Sequence, residues 1–321
     1  MMPDKNLHIS ISSSAGEQES NLTMTMVERN KNMLFKQKNS KKIGQAIGFV
    51  LISLCIVLAL IFLGSIIYFI TVRGIHVISW EFLTQVPRRA MTQGGVAPAI
   101  VGTFYLTLGA LLFSVPLGLA CAIYICEYSP ATYAVNIIRL SINNLAGVPS
   151  VVFGLFGFAV FVKFFGFGVS ILSGSLTLGI MALPGIISAS QEAILAVPQS
   201  YKEASLALGA THWQTIKKVV LPSALPGILT GIILNVGRVA GETAPILFTA
   251  ATFYTRGYPD SILSEVMALP YHIYALMTEG TRPEQQTMIA YGCSLILLCM
   301  VLVISAVAIY FRQKQRRMYG T

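Results

Sequence analysis

Long apolar stretches alternate with shorter polar segments along most of this chain. A helix needs roughly 20 apolar residues to cross a hydrocarbon core about 30 Å thick, and most of the stretches approach or exceed that length. The pattern predicts an all-α polytopic membrane protein with about six transmembrane helices, because only helices and closed barrels satisfy their backbone groups in lipid. The apolar stretches cover residues 43–72, 97–126, 148–165, 175–197, 222–249 and 287–311.

Two features leave the number of spans open between five and seven. Residues 127–147 are amphipathic, and Arg139 and Asn143 interrupt their apolar pattern, which favours a helix at the membrane surface. The fourth stretch is interrupted by Pro184 and carries Gln191 near its end. An even number of spans would place both basic ends of the chain on the same side of the membrane.

The distribution of Lys and Arg predicts the orientation. With both termini inside, roughly fifteen of these residues lie on the cytoplasmic side and six outside, as the positive-inside rule requires. Residues 73–97 and 251–286 are then polar segments on the outer side. The polar tail, residues 1–42, is Ser-rich and ends in a basic run, so we expect it to be disordered and cytoplasmic.

The N-terminal apolar stretch is interpreted as a retained first transmembrane helix, residues 43–72. A signal peptide is the competing interpretation, but this stretch is too long for the apolar region of one and no clean small-residue cleavage site follows it. The remaining spans form a core over residues 94–311, which includes a cytoplasmic loop at about 198–220.

The composition supports a membrane protein and argues against nucleic-acid binding. The chain of 321 residues is 55% hydrophobic and 11% charged, and its mean hydropathy is +0.70. Its net charge of +9 comes from basic residues that flank apolar stretches, as membrane topology requires. We expect no metal, no cofactor and no catalytic residues, because no Ser/His/Asp or metal-ligand spacing occurs. The five cysteines are interpreted as free thiols: Cys55, Cys121, Cys126, Cys293 and Cys299.

A polar segment between the fourth and fifth stretches, residues 200–222, predicts two short helices. Ser200 with Glu203 has the spacing of a capping box, and Thr211 with Gln214 repeats it. Gly209, between them, can take a positive φ and end the first helix. A protruding helix with small residues on one face is suited to lie in a groove of another protein.

The same segment resembles the EAA loop of ABC importer permeases, in the order Glu203-Ala204, Gly209 and then an aliphatic residue with Leu221-Pro222. Ser205 stands where that family has a second Ala. The resemblance implies that Glu203, Ala204, Ser205 and Gly209 belong to a coupling helix that docks on an ATPase subunit. A DNA-binding helix-turn-helix is the alternative, which the flanking spans and the few basic groups disfavour.

The fifth stretch contains charged residues, which are costly in a bilayer and usually face a pathway or the interior of a bundle. Arg238 lies about 24 Å along a helix from Pro222, at 1.5 Å per residue, and Glu242 is four residues further on. A structural ion pair is one interpretation. The other is an anion path, in which an arginine fork binds an oxyanion and the carboxylate favours a protonated anion such as phosphate over sulfate.

The sequence GRVAGETAP at 237–245 resembles the fifth-span signature of phosphate ABC transporter permeases of the PstA type. The sequences AIVGT at 99–103 and GVPSVVFG at 147–154 also resemble that family. The resemblance covers about residues 94–310 and implies a type I ABC importer permease (MetI-like) architecture. It assigns Arg238 and Glu242 to phosphate passage, and we place Thr243, in the same signature, in the same path.

The family resemblance also implies partners and a location. They are a PstC-type second permease, a dimer of a PstB-type ATPase, a PstS-type extracytoplasmic phosphate-binding protein, and a bacterial cytoplasmic (inner) membrane. The sequence contains no Gly-x-x-x-x-Gly-Lys-Ser/Thr loop, so ATP hydrolysis falls to the separate ATPase. Two alternatives stay open: a permease for another oxyanion such as sulfate or molybdate, and a stand-alone channel or membrane sensor.

Overall fold

The computed structural model describes residues 45, 48–88, 91, 93–128, 133–255, 257–280 and 282–319, without the side chains of 134 and 316–319. The predicted tail, residues 1–42, lies outside the described residues. The chain divides into two compact units, residues 1–68 and 69–321. The first helix, α1 (Gly48–Gly74), runs through the boundary, and its apolar side chains from Phe49 to Leu63 are exposed.

The described part of the second unit is built from helices, and only two isolated β-bridges interrupt this pattern there. Three of its α-helices continue directly into short π-helical segments, which are Tyr124–Tyr128, Phe158–Phe164 and Ile216–Val220. The helices are α2 (Trp80–Thr84), α3 (Ala97–Ile123), α4 (Tyr133–Ala146), α5 (Ser150–Gly157), α6 (Ile171–Leu195), α7 (Gln199–Ala207), α8 (His212–Thr215), α9 (Leu221–Gly241), α10 (Ala244–Thr249), α11 (Leu269–Thr278) and α12 (Pro283–Tyr319).

Within the described residues, five helical stretches are long and apolar enough to cross a membrane. A sixth exists if the pair formed by α4 and α5, which bends by 105°, is one span. The prediction of an all-α protein with about six spans is therefore confirmed. The five stretches are Gly48–Gly74, Ala97–Tyr128, Ile171–Leu195, His212–Gly241 and Pro283–Gln315.

Two spans differ from their predicted forms. The third has only 8 residues in α5 and 7 in the π-helix that follows, which at 1.5 Å per residue is roughly 22 Å, less than the hydrocarbon thickness of about 30 Å. The fourth is not broken, because α6 continues through Pro184.

Small residues on α6 and α9 bring these two helices into close contact. A Cβ added to Gly185 would meet the Asn235 amide, and Cβ atoms on Gly227 and Gly231 would meet Ala193 and Ala189. Contacts that advance by four residues along α6 thus move back by four residues along α9. The two helices are therefore antiparallel. Such small-residue seams are typical of helix packing in membranes.

Residues 251–286 are less polar in their environment than the sequence suggests, because they contain the buried helix α11. Its side chains Leu269, His272 and Leu276 are 0 to 1% exposed. Leu269 N donates to Thr103 Oγ1 of α3 at 2.8 Å, which satisfies one of the free amides at the start of α11. A Cβ on Gly102 would collide with the Met267 carbonyl oxygen. Gly102 thus leaves room for the chain just before α11, and Thr103 accepts a hydrogen bond from its first turn.

Candidate functional site

The charged residues of the fifth span lie where the helix breaks. The helix ends at Gly241, Glu242 has extended backbone (φ −72°, ψ 130°), and α10 begins at Ala244 with Pro245 in its first turn. Pro245 suits a first turn because its missing amide would have no partner there. The fifth span, predicted over 222–249, is therefore two helices with a break at Glu242, and Glu242 does not continue the helical face of Arg238.

Arg238 and Glu242 nevertheless remain neighbours across the break. Arg238 Nε lies 3.7 Å from Glu242 Oε1, and the two side chains are 52% and 19% exposed. A half-exposed pair at this distance contributes little to the stability of the chain by itself. Arg238 is in the last turn of α9, where the helix dipole favours a positive charge.

The two charges have different surroundings. Glu242 lines a narrow cleft of about 10 Å³ with Thr103, Thr107 and Pro270, next to α3 and α11. Thr243 stands at the start of α10 and makes no capping hydrogen bond there. The Glu242 carboxylate thus lies inside the bundle, whereas about half of the Arg238 side chain is exposed at the surface of the chain.

The α7–α8 loop forms the pair of short helices that the sequence predicts. Gly209 has φ +81°, its N–H donates to the Leu206 carbonyl, and Ala210 N donates to the Ser205 carbonyl. These two bonds form a Schellman motif, which satisfies free carbonyls at the end of α7. The capping box of Thr211 and Gln214 is present, so that prediction is confirmed.

The predicted capping box of Ser200 and Glu203 is wrong. α7 begins at Gln199, the residue before Ser200, and its N-cap is Pro198, which makes no side-chain cap hydrogen bond. Ser200 is therefore already inside the helix and cannot cap it. Glu203 is left exposed to solvent, as is Ala204.

The outer face of this loop exposes large apolar side chains. No described residue of α7 is buried, and Leu208 and Trp213 are 90% and 54% exposed. Ser205, by contrast, faces inward, and its Oγ lies 2.9 Å from Thr215 Oγ1, which joins the two short helices. Apolar groups this exposed next to a rigid turn indicate a protein contact surface.

Two polar contacts that sequence reasoning missed attach this loop to the end of α3. Lys202 Nζ lies 2.6 Å from Glu127 Oε1, and the two side chains are 15% and 5% exposed. His212 Nε2 is 3.0 Å from the Glu127 carbonyl oxygen, and its ring meets that of Tyr128 edge-on at 5.2 Å. Because 75 residues separate Lys202 from Glu127, no local pattern reveals the pair.

The described residues contain no cluster of His, Cys, Asp or Glu suited to a metal ion. The five cysteines are free, as predicted, and range from the exposed Cys55 to the buried Cys293.

Comparison with known proteins places this architecture in a family. Residues 114–315 match the binding-protein-dependent transport system inner membrane components. The chain belongs to this family. It is therefore a multi-pass membrane protein and a permease subunit for transport, which is not itself an enzyme.

Two relatives illustrate the similarity. The probable ABC transporter permease protein YqgI of Bacillus subtilis is 33% identical over 280 residues, which cover 84% of this chain and 95% of the relative. The probable phosphate transport system permease protein PstA of Methanocaldococcus jannaschii is 34% identical over 269 residues, with coverage of 84% and 94%.

A solved structure confirms the fold. The bacterial alginate ABC transporter, in complex with its alginate pentasaccharide-bound periplasmic protein, contains a chain that superposes with a TM-score of 0.58 at 16% identity. The match covers 84% of this chain and 94% of that one. The ABC importer permease architecture, of the type I or MetI-like class, is thereby established for this chain.

Proposed function

We propose that this chain is the membrane-spanning permease subunit of an ATP-driven phosphate importer, and that it passes inorganic phosphate across the cytoplasmic membrane. The observation that carries the proposal is the GETAP segment at 241–245, which breaks the fifth span beside a half-exposed arginine. Relatives named as phosphate transport permeases support the choice of substrate.

Arg238, Glu242 and Thr243 serve as the substrate path in this proposal. Arg238 offers a permanent positive charge to an oxyanion that has lost its water, and its planar fork suits phosphate geometry. Glu242, which approaches from inside the bundle, interacts favourably only with an anion that carries a proton. The pair thus accepts protonated phosphate and opposes sulfate, which has no proton to donate at neutral pH.

The partners follow from the exposed surfaces and the family. Glu203, Ala204, Ser205 and Gly209 belong to the coupling loop, and its apolar Leu208 docks in a groove of a PstB-type ATPase. The ATPase acts as a dimer, a PstC-type permease provides the other half of the membrane path, and a PstS-type protein delivers phosphate from outside. Both termini of the chain are cytoplasmic.

Uptake by the reconstituted transporter tests this function. The full chain with its second permease, ATPase and binding protein is placed in ATP-loaded proteoliposomes, and uptake of radiolabelled phosphate, sulfate and molybdate is compared. We expect ATP-dependent uptake of phosphate alone. Preferential uptake of sulfate or molybdate would establish the alternative oxyanion permease, and uptake without the ATPase would establish a channel.

A further inference from the structure

A small polar cavity between α4 and α6, away from Arg238, opens to the surface, and its wall residues Arg139 and Asn143 are exposed. Its volume is about 100 Å³, and its walls are Arg139, Ile142, Asn143 and Gln191. The three α4 residues are spaced i, i+3 and i+4, so they share one face of the helix, and this face is turned toward Gln191. A cavity of that size holds several water molecules and therefore also admits a small tetrahedral anion.

The walls of this cavity offer hydrogen-bond donors and no carboxylate. Arg139 supplies a guanidinium, Asn143 and Gln191 supply amides, and Ile142 is apolar. Gln191 Nε2 is buried and has no hydrogen-bond partner among the described residues, and a buried donor left without a partner costs about 1–3 kcal/mol. An acceptor in the cavity would satisfy it.

Arg139 is also free of ion pairs within the described residues. The ion pairs there are Lys202 with Glu127 and Arg238 with Glu242, and Arg139 belongs to neither. Gln191 lies near the end of α6 (Ile171–Leu195), shortly before α7 begins at Gln199, so the cavity is at the same end of the bundle as the α7–α8 loop. An oxyanion is the ligand that an unpaired arginine beside two amides recognises.

The register of α6 against α9 fixes where this cavity lies relative to Arg238. Gly185 contacts Asn235, and Ala189 contacts Gly231, so the position on α9 level with Gln191 is close to residue 229. Nine residues separate that level from Arg238, which at 1.5 Å per residue is about 13 Å along the helix axis. The cavity thus lies about 13 Å nearer to the α7–α8 end of the helices than Arg238 does, at 1.5 Å per residue along the helix axis.

We propose that this cavity is a second oxyanion site, which holds phosphate after it leaves Arg238 and before it is released. The inference rests on the proposed function and on the orientation in which the α7–α8 loop is cytoplasmic. Arg139 attracts the anion, and Asn143 and Gln191 donate to its oxygens. Because Arg139 and Asn143 are exposed, in this orientation internal phosphate also reaches the site and slows import.

Inhibition by internal phosphate tests the site. The complete transporter is reconstituted with ATP and increasing unlabelled phosphate inside the proteoliposomes, and the initial uptake of labelled phosphate from outside is measured, with internal sulfate as a control. The variants are Arg139→Gln, Arg139→Lys and Asn143→Ala. Asn144→Ala is the matched control, because Asn144 is the next residue on α4, is exposed and does not line the cavity.

We expect the internal phosphate concentration for half-inhibition to rise about tenfold in Arg139→Gln, as the loss of one charge-assisted hydrogen bond implies. Asn143→Ala should raise it about threefold, the size expected for one neutral hydrogen bond. The half-inhibition concentration of Arg139→Lys should lie between those of Arg139→Gln and the parent. Asn144→Ala should match the parent, and all variants should have parental abundance in the membrane.

Several outcomes would overturn this inference. One is that internal phosphate does not inhibit the parent at all, and another is that Arg139→Gln has the inhibition curve of the parent, even with a lower uptake rate. In either case the parent still imports phosphate, so the proposed function stands while the second site is rejected. A parent that does not import phosphate would reject both.

Discussion

Lys202 of α7 forms an ion pair with Glu127 at the end of α3, with 2.6 Å between Nζ and Oε1. The two side chains are only 15% and 5% exposed, so the pair joins α7, which belongs to the proposed docking surface, to the end of a spanning helix. An ATPase that moves α7 would therefore move the end of α3 with it. α3 also carries Thr103, whose hydroxyl accepts a hydrogen bond from the first turn of α11. α3 therefore connects α7 with the buried helix α11.

The ion pair can be tested by removing one of its charges. In Lys202→Met, the Glu127 carboxylate is left buried without its partner, and the attachment of α7 should weaken by about 1–3 kcal/mol. We expect faster hydrogen exchange in α7 and lower uptake at parental membrane abundance. Lys217→Met is the control, because Lys217 is an exposed lysine of the same region.

Exchanging the two charges, Lys202→Glu with Glu127→Lys, should restore part of the lost uptake. Parental uptake and parental exchange in Lys202→Met would show that the pair does not transmit motion.

Gly209 is expected to tolerate asparagine but not valine. A Cβ there would meet nothing within 4 Å, so the cost comes from the backbone conformation at φ +81° and is about 1–2 kcal/mol for an ordinary L-residue. Gly209→Val should reorient α7 and reduce the amount of ATPase that co-purifies. Gly209→Asn should retain the ATPase, because asparagine also occupies this conformation at helix ends. Equal recovery of ATPase with both variants would contradict a docking role for this turn.

The substrate path predicts different effects for Arg238 and Glu242. Arg238→Gln should abolish phosphate uptake while the complex still assembles, and Arg238→Lys should be impaired because it keeps the charge and loses the fork. Glu242→Gln should admit sulfate more readily, since the charge that opposes it is gone. The measurements are phosphate and sulfate uptake together with membrane abundance.

The double variant Arg238→Gln with Glu242→Gln decides between a path and a structural pair. If the pair were structural, each single change would lower abundance and the double change would restore it. The 52% exposure of Arg238 leads us to expect parental abundance in all three variants. Normal phosphate uptake by the double variant would rule out the anion path.

His272 should make the stability of the protein depend on pH in the acidic range. Burial lowers the pKa of this side chain from 6.5 to about 4, so the folded protein keeps it neutral. Below pH 6.5 the unfolded chain binds a proton that the folded chain does not, and stability falls until the pH reaches about 4. The full loss is about 3 kcal/mol, at 1.36 kcal/mol per pKa unit.

The thermal midpoint of the purified chain, measured between about pH 6.5 and pH 4, tests this dependence. His272→Leu should flatten the curve, and His76→Leu, which replaces an exposed histidine, is the matched control. An unchanged slope in His272→Leu would mean that other groups cause the acid sensitivity.

Some parts of this protein follow from the sequence alone. The apolar stretches give the spanning helices, because in lipid the backbone must satisfy its own hydrogen bonds. The turn at Gly209 and the cap at Thr211 are also local, since each depends on residues within five positions along the chain. The local pattern predicts the wrong cap at Ser200, because the helix already begins at Gln199, behind Pro198.

Other parts depend on tertiary structure. Residues 251–286 look polar, yet α11 is buried, because Gly102 leaves room for it and Thr103 supplies its missing cap. The Lys202–Glu127 pair and the cavity beside Gln191 join residues that are distant along the chain. Hydrophobic periodicity indicates which residues avoid water. Only the packing of the helices determines which helices are in contact and which hydrogen-bond donors remain unpaired.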